Sequence, residues 1–503
     1  MADFDCMNSI ELLSILPEFS REKMSTGLLD RSVSRISTDS RHVDDSTIFI
    51  AIRGTKVDSH QFLSEVEKQK PVVMIVESRK GISIGYSGLV IEVKNSREAL
   101  DLLSSRFFGD PSHRLLMFGV TGTNGKTSCT YLFEHIFNAL GFPTGVIGTI
   151  NHHLGEQVWS TSTTTPGSLE LQSRLAEMRN LGAKSVAMEI SSHALDQHRA
   201  DSVHFNTVLF TNLTRDHLDY HQDMQKYFLA KQKLFRDLLW KSNKIPQFAI
   251  VNIDDAYGKK LRVAGHAGLW TYGQSPLADF QFKVTGGDFA STQFHLKSPL
   301  GDIEATVPLC GLHNIYNVVG VLASAASLGI AVPYGLKALQ NFGGVPGRLQ
   351  RVQTQKDLHV FVDYAHTPDA LENVLRALFQ IRDHQTKEQH RIITVFGCGG
   401  DRDKGKRAEM ASIAEKFSDQ VIVTSDNPRS EDPMNIISDI LAGFKNSKPF
   451  IEPDRRAAIS LALQHAMAGD VILIAGKGHE NYQIIGTEKI HFSDLEVVQE
   501  ILS

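Results

Sequence analysis

The glycine-rich segment 119–127, Gly-Val-Thr-Gly-Thr-Asn-Gly-Lys-Thr, limits what this chain can fold into more than any other stretch. The apolar run 115–118 before it predicts a short buried strand, and apolar residues recur at helical spacing over 128–137 after it. A strand, a glycine-rich turn and a helix that starts at Lys-Thr can bind a polyphosphate, because glycines let backbone N–H groups approach the anion and the helix N-terminus adds positive charge. The segment therefore predicts a nucleotide-binding α/β domain.

The spacing of this segment departs by one residue from the common phosphate loop, G-x-x-x-x-G-K-[ST]. The first glycine of that pattern falls at Val120, whereas Gly119 lies one residue early and Gly122 lies inside the loop. A glycine-rich turn with an incidental lysine is the alternative interpretation. The strand and the helix lie on the correct sides, which favours nucleotide binding, with Lys126 reaching the phosphates and the Thr127 hydroxyl binding Mg²⁺.

Length and composition limit the class of protein. A chain of 503 residues predicts roughly three domains. The net charge of -5 gives no basic patch for nucleic acid, so we expect no nucleic-acid partner. The 4 cysteines are scattered without a C-x-x-C pair, which disfavours a zinc ribbon or disulfide framework and suits a cytoplasmic location. We also expect no signal peptide and no membrane span, since no apolar run is long enough.

Turn residues and strand patterns predict three α/β domains, over 1–112, 113–345 and 346–503. Pro111 and Ser112 mark the first boundary, and the glycine cluster 343–347 marks the second. Strands that alternate with helices predict a parallel sheet in the central and C-terminal domains, and alternation with turns over 271–309 predicts an antiparallel insert. The predicted strands are 47–52, 71–76, 185–190, 207–210, 248–251, 359–363, 392–396, 420–424 and 470–475, and predicted helices include 61–69 and 408–416.

Polar residues follow two strands of the predicted central sheet. If both strands flank the phosphate loop, Glu189 and His217 point toward the γ-phosphate and can bind Mg²⁺, which takes few protein ligands. A polar loop that only caps a helix is the alternative for His217 and His221. A zinc site at His217, Asp219 and His221 is a weaker interpretation, because the sequence offers no further well-spaced ligand.

Polar clusters also follow the strands of the C-terminal domain, at 363–366, 426–429 and 476–480. The charged loop 398–407 is either a solvated turn or a site for an anion or a carboxylate. Arg429 follows a proline that stiffens its loop, so its guanidinium suits bidentate capture of a carboxylate, although a loop arginine can also be merely exposed. By pattern alone, Lys231 is a solvated lysine on an amphipathic helix.

Several of these motifs resemble, in the same order, those of the Mur ligases, the ATP-dependent amide-bond-forming enzymes of peptidoglycan precursor synthesis. The one-residue departure in the phosphate loop is the normal form in that family. The motif at 426–429, Asp-Asn-Pro-Arg, is similar to the amino-acid-selecting motif of the members that add meso-diaminopimelate. The resemblance covers nearly the whole chain and rests on segments 121–127, 189–193, 212–219, 311–314, 363–366 and 426–429.

The resemblance implies a fold and an activity. It implies a smaller N-terminal α/β domain that binds a UDP-sugar, a central P-loop ATPase-like domain with a parallel sheet, and a C-terminal Rossmann-like domain that binds an amino acid. The implied enzyme joins meso-2,6-diaminopimelate to UDP-MurNAc-L-Ala-D-Glu through an acyl phosphate, consumes ATP and requires Mg²⁺. We expect it to act as a monomer.

The resemblance also implies the residues of each site. The ATP site comprises Thr121, Gly122, Thr123, Asn124, Gly125, Lys126 and Thr127, with Asn314 near the adenine, Arg348 near the phosphates and Asp363 at the ribose. The UDP-MurNAc-dipeptide site comprises Thr38, Ser40, Thr55, Lys56, Val57, Thr164, Thr165, Ser191, Gln197 and Arg199. The diaminopimelate site comprises Arg402, Asp426, Asn427, Pro428, Arg429, Gly476 and Glu480.

The resemblance assigns the metal and catalytic residues as well. Mg²⁺ is expected at Thr127, Glu189, His217 and Lys231, the last as a carbamate, N6-carboxylysine. The expected catalytic residues are Lys126, Lys231, Glu189, His217 and His366. The attacking amine needs a base, and the sequence leaves His366 and Asp216 as alternatives.

Three other functions stay open from the sequence. A lysine-adding ligase of the same family would differ at Arg429. Folylpolyglutamate synthase, a related amide ligase, shares the phosphate loop but is expected to lack the motif at 426–429 and a full N-terminal domain. A non-catalytic nucleotide-dependent scaffold or switch is the third alternative, and the joint presence of Lys126, Glu189, His217 and Lys231 disfavours it.

Overall fold

In a computed structural model of the chain, residues 7–19, 30–54, 57–385 and 390–503 are described, with 384–385 through their backbone alone. The predicted substrate residues Thr55 and Lys56 lie outside these ranges. Three sheets, each covered by helices, form the molecule, with a two-stranded sheet and a hairpin beside them. This confirms the predicted multi-domain α/β class.

A four-stranded parallel sheet of order β3-β4-β5-β6 lies in the N-terminal part of the chain, beside an antiparallel pair, β1 and β2. Its strands alternate their apolar side chains between two cores: Ile48 and Ile50 face one, and Phe49 faces the other. The strands are β1 (Met7–Asn8), β2 (Ser32–Val33), β3 (Arg35–Ser37), β4 (Thr47–Ile50), β5 (Val73–Val76) and β6 (Leu89–Glu92).

The central sheet has 11 strands in the order β10-β9-β8-β11-β7-β12-β13-β14-β15-β16-β17. The run from β8 to β15 is parallel, and antiparallel strands extend both edges. The strands are β7 (Leu116–Thr121), β8 (Thr144–Ile147), β9 (His152–Leu154), β10 (Gln157–Trp159), β11 (Ser185–Glu189), β12 (Thr207–Phe210), β13 (Phe248–Asn252), β14 (Gly268–Gly273), β15 (Phe280–Gly287), β16 (Thr292–Ser298) and β17 (Gly301–Val307).

The third sheet has 6 strands in the order β18-β19-β23-β20-β21-β22, of which only β18 is antiparallel to its neighbour. A short hairpin, β24 and β25, follows it. The strands are β18 (Gln350–Val352), β19 (His359–Asp363), β20 (Ile392–Phe396), β21 (Gln420–Val423), β22 (Phe450–Ile451), β23 (Val471–Ala475), β24 (Tyr482–Ile485) and β25 (Glu488–His491).

Helices cover the faces of the three sheets, and none in the described ranges combines the length and apolar character needed to cross a membrane. A π-helical segment, Leu234–Leu238, joins α8 to α9. The helices are α1 (Ser9–Leu13), α2 (Leu63–Gln69), α3 (Ser96–Phe107), α4 (Lys126–Ala139), α5 (Ser168–Asn180), α6 (Ser192–Asp196), α7 (Leu218–His221), α8 (Met224–Lys233), α9 (Leu239–Lys241), α10 (Leu312–Ser327), α11 (Val332–Leu339), α12 (Pro368–Gln385), α13 (Gly405–Phe417), α14 (Pro433–Leu441), α15 (Arg455–His465) and α16 (Asp494–Leu502).

Helix α4 fixes the phosphate loop against the central sheet through aromatic packing. The ring of Phe118, in β7, stacks on Phe133 at 4.4 Å between centroids, and Phe133 stacks on Phe137 at 4.0 Å. All three side chains are buried in the core on one face of the sheet, whereas Met117 points into the core on the other face. The alternation of side chains along β7 therefore supplies both layers of the domain.

The antiparallel insert differs from its prediction at one strand. Alternation predicted antiparallel pairing from 271 onward, but β14 pairs in parallel with β13 and with β15, so antiparallel pairing begins between β15 and β16. Residues 268–271 of β14 are exposed or only partly buried, so the strand lacks the continuous apolar run that marks a fully buried parallel strand. The domain boundaries after residues 112 and 345 stay predictions.

Candidate active site

The order of strands in the central sheet puts the phosphate loop between two polar strand ends. Strand β7, which leads into the loop, lies between β11, which ends at Glu189, and β12, which precedes Thr211. This confirms the condition under which the sequence placed Glu189 near the loop. The carboxyl ends of parallel strands are where α/β proteins bind ligands.

Two glycines of the loop adopt a left-handed backbone and leave no room for a side chain. Gly122 has φ of 155°, and an added Cβ would lie 1.9 Å from the Thr211 hydroxyl oxygen. Gly125 has φ of 90°, and an added Cβ would lie 2.4 Å from Asn317 Oδ1. These glycines are therefore required for the loop conformation that turns backbone N–H groups toward an anion.

The loop is held from outside by the segment that follows β12. Asn212 accepts a hydrogen bond from the backbone N–H of Asn124 at 2.9 Å through Oδ1 and donates to the Asn124 carbonyl at 3.2 Å. The Thr211 hydroxyl donates to the same carbonyl at 2.6 Å. Sequence reasoning missed Asn212 as a site residue, although it begins one of the motifs that carried the family resemblance.

Two lysine amines converge on one carbonyl of the loop. Lys126 Nζ donates to the carbonyls of Gly122 and Thr123, at 2.9 Å each, and Lys231 Nζ donates to the Gly122 carbonyl at 2.9 Å. Lys231 is 1% exposed, so its interpretation as a solvated lysine is wrong: helix α8 presses it against the loop. Burial and the neighbouring charge of Lys126 hold the pKa of Lys231 well below that of an ordinary lysine.

Glu189 and His217 have different environments. The Glu189 carboxylate is buried and accepts hydrogen bonds from the backbone N–H of Thr149 at 2.9 Å and from its hydroxyl at 3.0 Å. His217 has φ of 53° and lies before α7, with its ring 4.9 Å from that of His193. Burial lowers the pKa of His217 to about 4, so the imidazole is neutral at pH 7 and has a free lone pair for a ligand.

The donor chemistry of this region fits a magnesium ion better than a zinc ion. Within the part of the chain that the structure describes, no three His, Cys, Asp or Glu side chains are grouped as for a metal, and His221 instead contacts the Ser192 hydroxyl at 2.9 Å. The zinc interpretation of His217, Asp219 and His221 is therefore unsupported. A buried carboxylate at Glu189 beside a phosphate loop suits Mg²⁺, which shares its shell with phosphate oxygens and water.

Four residues assigned to the dipeptide substrate form one hydrogen-bonded group next to Glu189. Thr165 Oγ1 donates to the Glu189 carbonyl at 2.9 Å and accepts from the Ser191 backbone N–H at 3.0 Å. Arg199 donates to the Thr165 carbonyl at 2.9 Å and to Gln197 Oε1 at 2.7 Å. This group holds an arginine beside the strand end, where an anionic substrate can lie.

The other residues assigned to this substrate are more dispersed. Thr164 Oγ1 lies 3.1 Å from the Thr149 hydroxyl, and it thereby reaches the partner of Glu189. Thr38 follows β3, Ser40 begins a single 3₁₀ turn and Val57 is exposed, all in the N-terminal part of the chain.

Residues after 345 reach the phosphate loop. Arg348 donates to the Thr127 hydroxyl at 3.4 Å, and its guanidinium carbon lies 4.7 Å from the ring centroid of Tyr364. Asp369 Oδ2, in the first turn of α12, accepts from Asn124 Nδ2 at 3.0 Å and from the Thr214 hydroxyl at 3.1 Å. Sequence reasoning missed Asp369, because its partners lie far away in the chain.

Three further predicted residues make local contacts. Asp363 accepts hydrogen bonds from the backbone N–H groups of Leu349 and Ala365, and burial raises the pKa of Asp363 to about 6. Asn314 donates to the Cys310 carbonyl at 2.8 Å. His366 Nδ1 lies 2.8 Å from the Tyr364 carbonyl, and burial lowers the pKa of His366.

The segment 426–429 lies at the carboxyl end of β21 and is packed against two other loops. Asn427 accepts from Lys477 Nζ at 3.2 Å and donates to Glu480 Oε2 at 3.0 Å. Arg429 has φ of 52°, and its Nη1 donates to the Gly400 carbonyl at 2.7 Å. Sequence reasoning missed the buried Lys477, although the cluster 476–480 was noted as polar.

The other residues assigned to diaminopimelate lie next to the segment 426–429 or within it. Gly476 has φ of 121°, and an added Cβ would lie 2.6 Å from Asp426 Oδ2, so the carboxylate lies directly against the backbone. The Pro428 carbonyl comes so near to Gly400 that an added Cβ there would lie 1.9 Å from its oxygen. Arg402 is exposed beside them. These residues therefore form one polar surface.

A phosphate loop at the carboxyl edge of a parallel sheet, with a buried lysine and carboxylate beside it, defines a nucleotide-binding enzyme of the phosphate-loop class. Comparison with known proteins narrows that class. The Mur ligase middle domain matches residues 120–325, and the Mur ligase glutamate ligase domain matches residues 347–478. The chain belongs to the Mur ligase family.

Individual relatives extend the similarity over nearly the full length. A UDP-N-acetylmuramoyl-L-alanyl-D-glutamate–2,6-diaminopimelate ligase of Geobacter sulfurreducens is 41% identical over 493 residues, which cover 93% of this chain and 94% of the relative. A solved structure of an enzyme with the same name has a TM-score of 0.72 at 30% identity and covers 99% of both chains. Folylpolyglutamate synthase of Mycobacterium tuberculosis, at 16% identity, shares the fold with a TM-score of 0.60 over 75% of this chain and 92% of its own.

The hydrogen bonds from Asn212 to the phosphate loop yield a first prediction. In Asn212→Ala the Asn124 backbone loses two hydrogen bonds, worth about 1–2 kcal/mol together. We expect ATP binding about five- to thirtyfold weaker, measured by isothermal titration calorimetry.

Asn206→Ala is the matched control. Asn206 makes the same kind of contact, from Oδ1 to the Met117 backbone N–H at 3.0 Å, at the opposite end of β7. We expect Asn206→Ala to alter stability and leave ATP affinity at the wild-type value. Wild-type ATP affinity in Asn212→Ala would show that the hydrogen bonds from Asn212 do not hold the phosphate loop for ATP.

Proposed function

We propose that this Mur ligase joins meso-2,6-diaminopimelate to UDP-MurNAc-L-Ala-D-Glu and converts ATP to ADP and phosphate. The observation that supports it most is the convergence of three groups on one phosphate loop. The Thr165–Arg199 group lies beside Glu189, next to the loop, and Arg348 and Asp369 contact the loop from the part of the chain after residue 345. The names of the near full-length relatives state the same reaction.

The first step is transfer of a phosphoryl group to a carboxylate. An oxygen of the D-Glu carboxylate attacks the γ-phosphorus of ATP, the bond to the β-γ bridging oxygen breaks, and ADP leaves. Charge neutralisation and positioning dominate such transfers, which is the work we assign to Lys126, the loop N–H groups and Arg348. A bound Mg²⁺, held by Thr127, Glu189, His217 and carbamylated Lys231, would neutralise phosphate charge.

The second step forms the amide. The amine nitrogen of diaminopimelate attacks the acyl carbon, and the tetrahedral intermediate collapses as phosphate leaves with the bonding electrons. The proton of the amine goes to a base, for which we retain His366 and Asp216 as candidates. His366 is buried with a lowered pKa, and Asp216 Oδ2 lies 3.4 Å from His217 Nε2.

Choice of the amino acid depends on its second carboxylate. Diaminopimelate carries this group and lysine does not. Arg429 offers it a guanidinium on a stiff loop, and lysine would leave that arginine without its partner. We assign Arg402, Asp426, Asn427, Pro428, Gly476 and Glu480 to the same amino acid.

The remaining assignments follow from the same proposal. The UDP-MurNAc-dipeptide would bind at the ten residues named above, from Thr38 to Arg199, and the adenosine of ATP at Asn314 and Asp363. We propose domains over 1–112, 113–345 and 346–503 for the UDP-sugar, ATP and the amino acid, and a monomer that acts in the cytoplasm. Folylpolyglutamate synthase activity is disfavoured by the motif at 426–429.

Lys231 is proposed to act as a carbamate. A carbamate forms when a neutral amine adds to CO₂ and loses a proton, and the depressed pKa of Lys231 favours the neutral amine. The product is an anion in place of a cation, next to the carbonyl of Gly122. That change supplies an oxygen ligand of the kind Mg²⁺ prefers.

The proposed reaction is tested by phosphate release in the presence of ATP, Mg²⁺ and UDP-MurNAc-L-Ala-D-Glu. We expect release to depend on added diaminopimelate and lysine to replace it poorly. In Arg429→Ala we expect kcat/KM for diaminopimelate to fall about a hundredfold, because a charged bidentate contact is lost, with KM for ATP unchanged.

Arg456→Ala is the control, since this exposed arginine pairs with Glu500 on the surface of the same part of the chain. Release that depends on lysine and not on diaminopimelate would contradict the proposed substrate. Normal use of diaminopimelate by Arg429→Ala would remove Arg429 from the site.

The carbamate yields a separate prediction. We expect Lys231→Ala to lose more than about a hundredfold in turnover, because even indirect partners of a metal site are worth about ten- to a hundredfold. Added formate or acetate should restore part of the activity, since a small carboxylate can occupy the vacated space.

Lys233→Ala is the matched control, two residues along the same helix, with a partly exposed side chain. We expect it to keep wild-type activity and to gain nothing from added carboxylate. Full activity in Lys231→Ala without rescue would exclude the carbamate.

A further inference from the structure

Two loops of the third sheet are joined to each other around Arg429. The first, residues 397–404, follows β20, and the second, residues 424–432, follows β21. The Gly400 N–H donates to the Asn427 carbonyl at 2.9 Å, and Arg429 Nη1 donates to the Gly400 carbonyl at 2.7 Å. The position of the Arg429 guanidinium therefore depends on where the first loop lies.

The backbone of both loops is unusual for the residues it contains. Arg429 has φ of 52° and Asp401 has φ of 53°, a left-handed conformation that side chains with a Cβ adopt only at a cost. Asp401 accepts hydrogen bonds from the Ser430 hydroxyl at 2.7 Å and from the Ser430 backbone N–H at 3.2 Å. Such strain persists only where the surrounding contacts hold it.

An ion pair between buried Arg407 and partly exposed Glu431 supplies those contacts. Arg407, in α13, is 0% exposed, and its two terminal nitrogens donate to the two oxygens of Glu431 at 2.9 and 3.0 Å. Glu431 Oε1 also accepts from the Asp401 backbone N–H at 2.6 Å, and Arg407 Nη2 donates to the Gly399 carbonyl at 3.3 Å. Arg407 and Glu431 thus hold the first loop, through Gly399 and Asp401, next to the second loop, which contains Arg429.

Arg407 and Glu431 do not belong to the residues assigned to the amino acid. Arg407 is covered on all sides, and both Glu431 oxygens already accept hydrogen bonds within the protein. A second carboxylate, Asp439, accepts from Arg407 at 2.8 Å and is 47% exposed. The pair acts on a substrate only through the loops that it holds.

We propose that the Arg407–Glu431 pair is a positioning element that sets the selectivity for an amino acid with a second carboxylate. The pair fixes the distance between the two loops and thereby the guanidinium of Arg429. This inference rests on the proposed function and names what enforces its selectivity. A shift of about 1 Å in such a contact costs about a hundredfold in rate.

Glu431→Gln tests the pair with little change in volume. Both carboxylate oxygens face donors, from Arg407 on each and from the Asp401 N–H on one, so the amide NH₂ meets a donor in either orientation. We expect kcat/KM for diaminopimelate to fall about ten- to a hundredfold through KM. The kcat/KM for lysine, and KM for ATP and for UDP-MurNAc-dipeptide, should stay within about twofold, because none of them uses the Arg429 contact.

Two further variants separate positioning from general stability. Arg407→Lys keeps the charge but cannot form the fork to Glu431, so it should reproduce the loss for diaminopimelate. Asp439→Asn removes the charge of the other Arg407 partner and should leave selectivity at the wild-type value.

The outcomes distinguish this inference from the proposed function. Wild-type protein without diaminopimelate-dependent phosphate release contradicts the proposed function. Wild-type activity together with equal losses for diaminopimelate, lysine and ATP in Glu431→Gln overturns the positioning role alone, because that pattern indicates a merely structural pair. The same conclusion follows if Glu431→Gln and Arg407→Lys both keep wild-type selectivity.

Discussion

The carbonyl oxygen of Gly122 accepts hydrogen bonds from two lysine amines, and the rest of the site depends on that shared contact. Two ammonium groups on one acceptor in a buried position repel each other, so one of them is driven toward the neutral form. Burial holds the pKa of Lys231 well below normal, and it also lowers the pKa of Lys126, which is only partly buried and lies near the carboxylates of Glu189 and Asp216. The loop therefore keeps one cation for phosphate and one amine of altered chemistry.

Close packing and hydrogen bonds hold the loop in the conformation in which both lysines reach this carbonyl. Gly122 approaches Thr211 too closely for any side chain, and Asn212 binds both the N–H and the carbonyl of Asn124. The loop is also reached from the last third of the chain by Arg348 and Asp369. A loop held by these contacts is suited to position the γ-phosphoryl group of ATP for the proposed acyl transfer.

The parts of the fold that the sequence predicts well are those whose local pattern decides them. Strands 207–210, 359–363 and 392–396 have the predicted bounds, because short runs rich in β-branched and aromatic residues favour a buried parallel strand. The strands β8, β9 and β10, at one end of the central sheet, are only three or four residues long and were not predicted. Glu189 was found because it ends a buried strand.

Local sequence pattern does not identify several charged or polar side chains of the site whose partners are distant, and the family resemblance alone pointed to one of them, Lys231. Lys231 lies on a helix whose pattern is plainly amphipathic, and only packing of that helix on the phosphate loop buries its amine. Asp369 lies 245 residues from Asn124, and Arg407 lies 24 residues from Glu431. A local pattern cannot report which distant group contacts a buried polar side chain, so tertiary structure is needed to find Asp369 and Arg407.

In the proposed reaction, the phosphate loop positions the γ-phosphoryl group of ATP for transfer to a carboxylate. The most direct measurement uses UDP-MurNAc-L-Ala-D-Glu labelled with ¹⁸O in the terminal carboxylate that is joined to the amine, followed by mass analysis of the phosphate produced. We expect one ¹⁸O atom in each inorganic phosphate and none in the nucleotide. Unlabelled phosphate, or label in AMP, would contradict it.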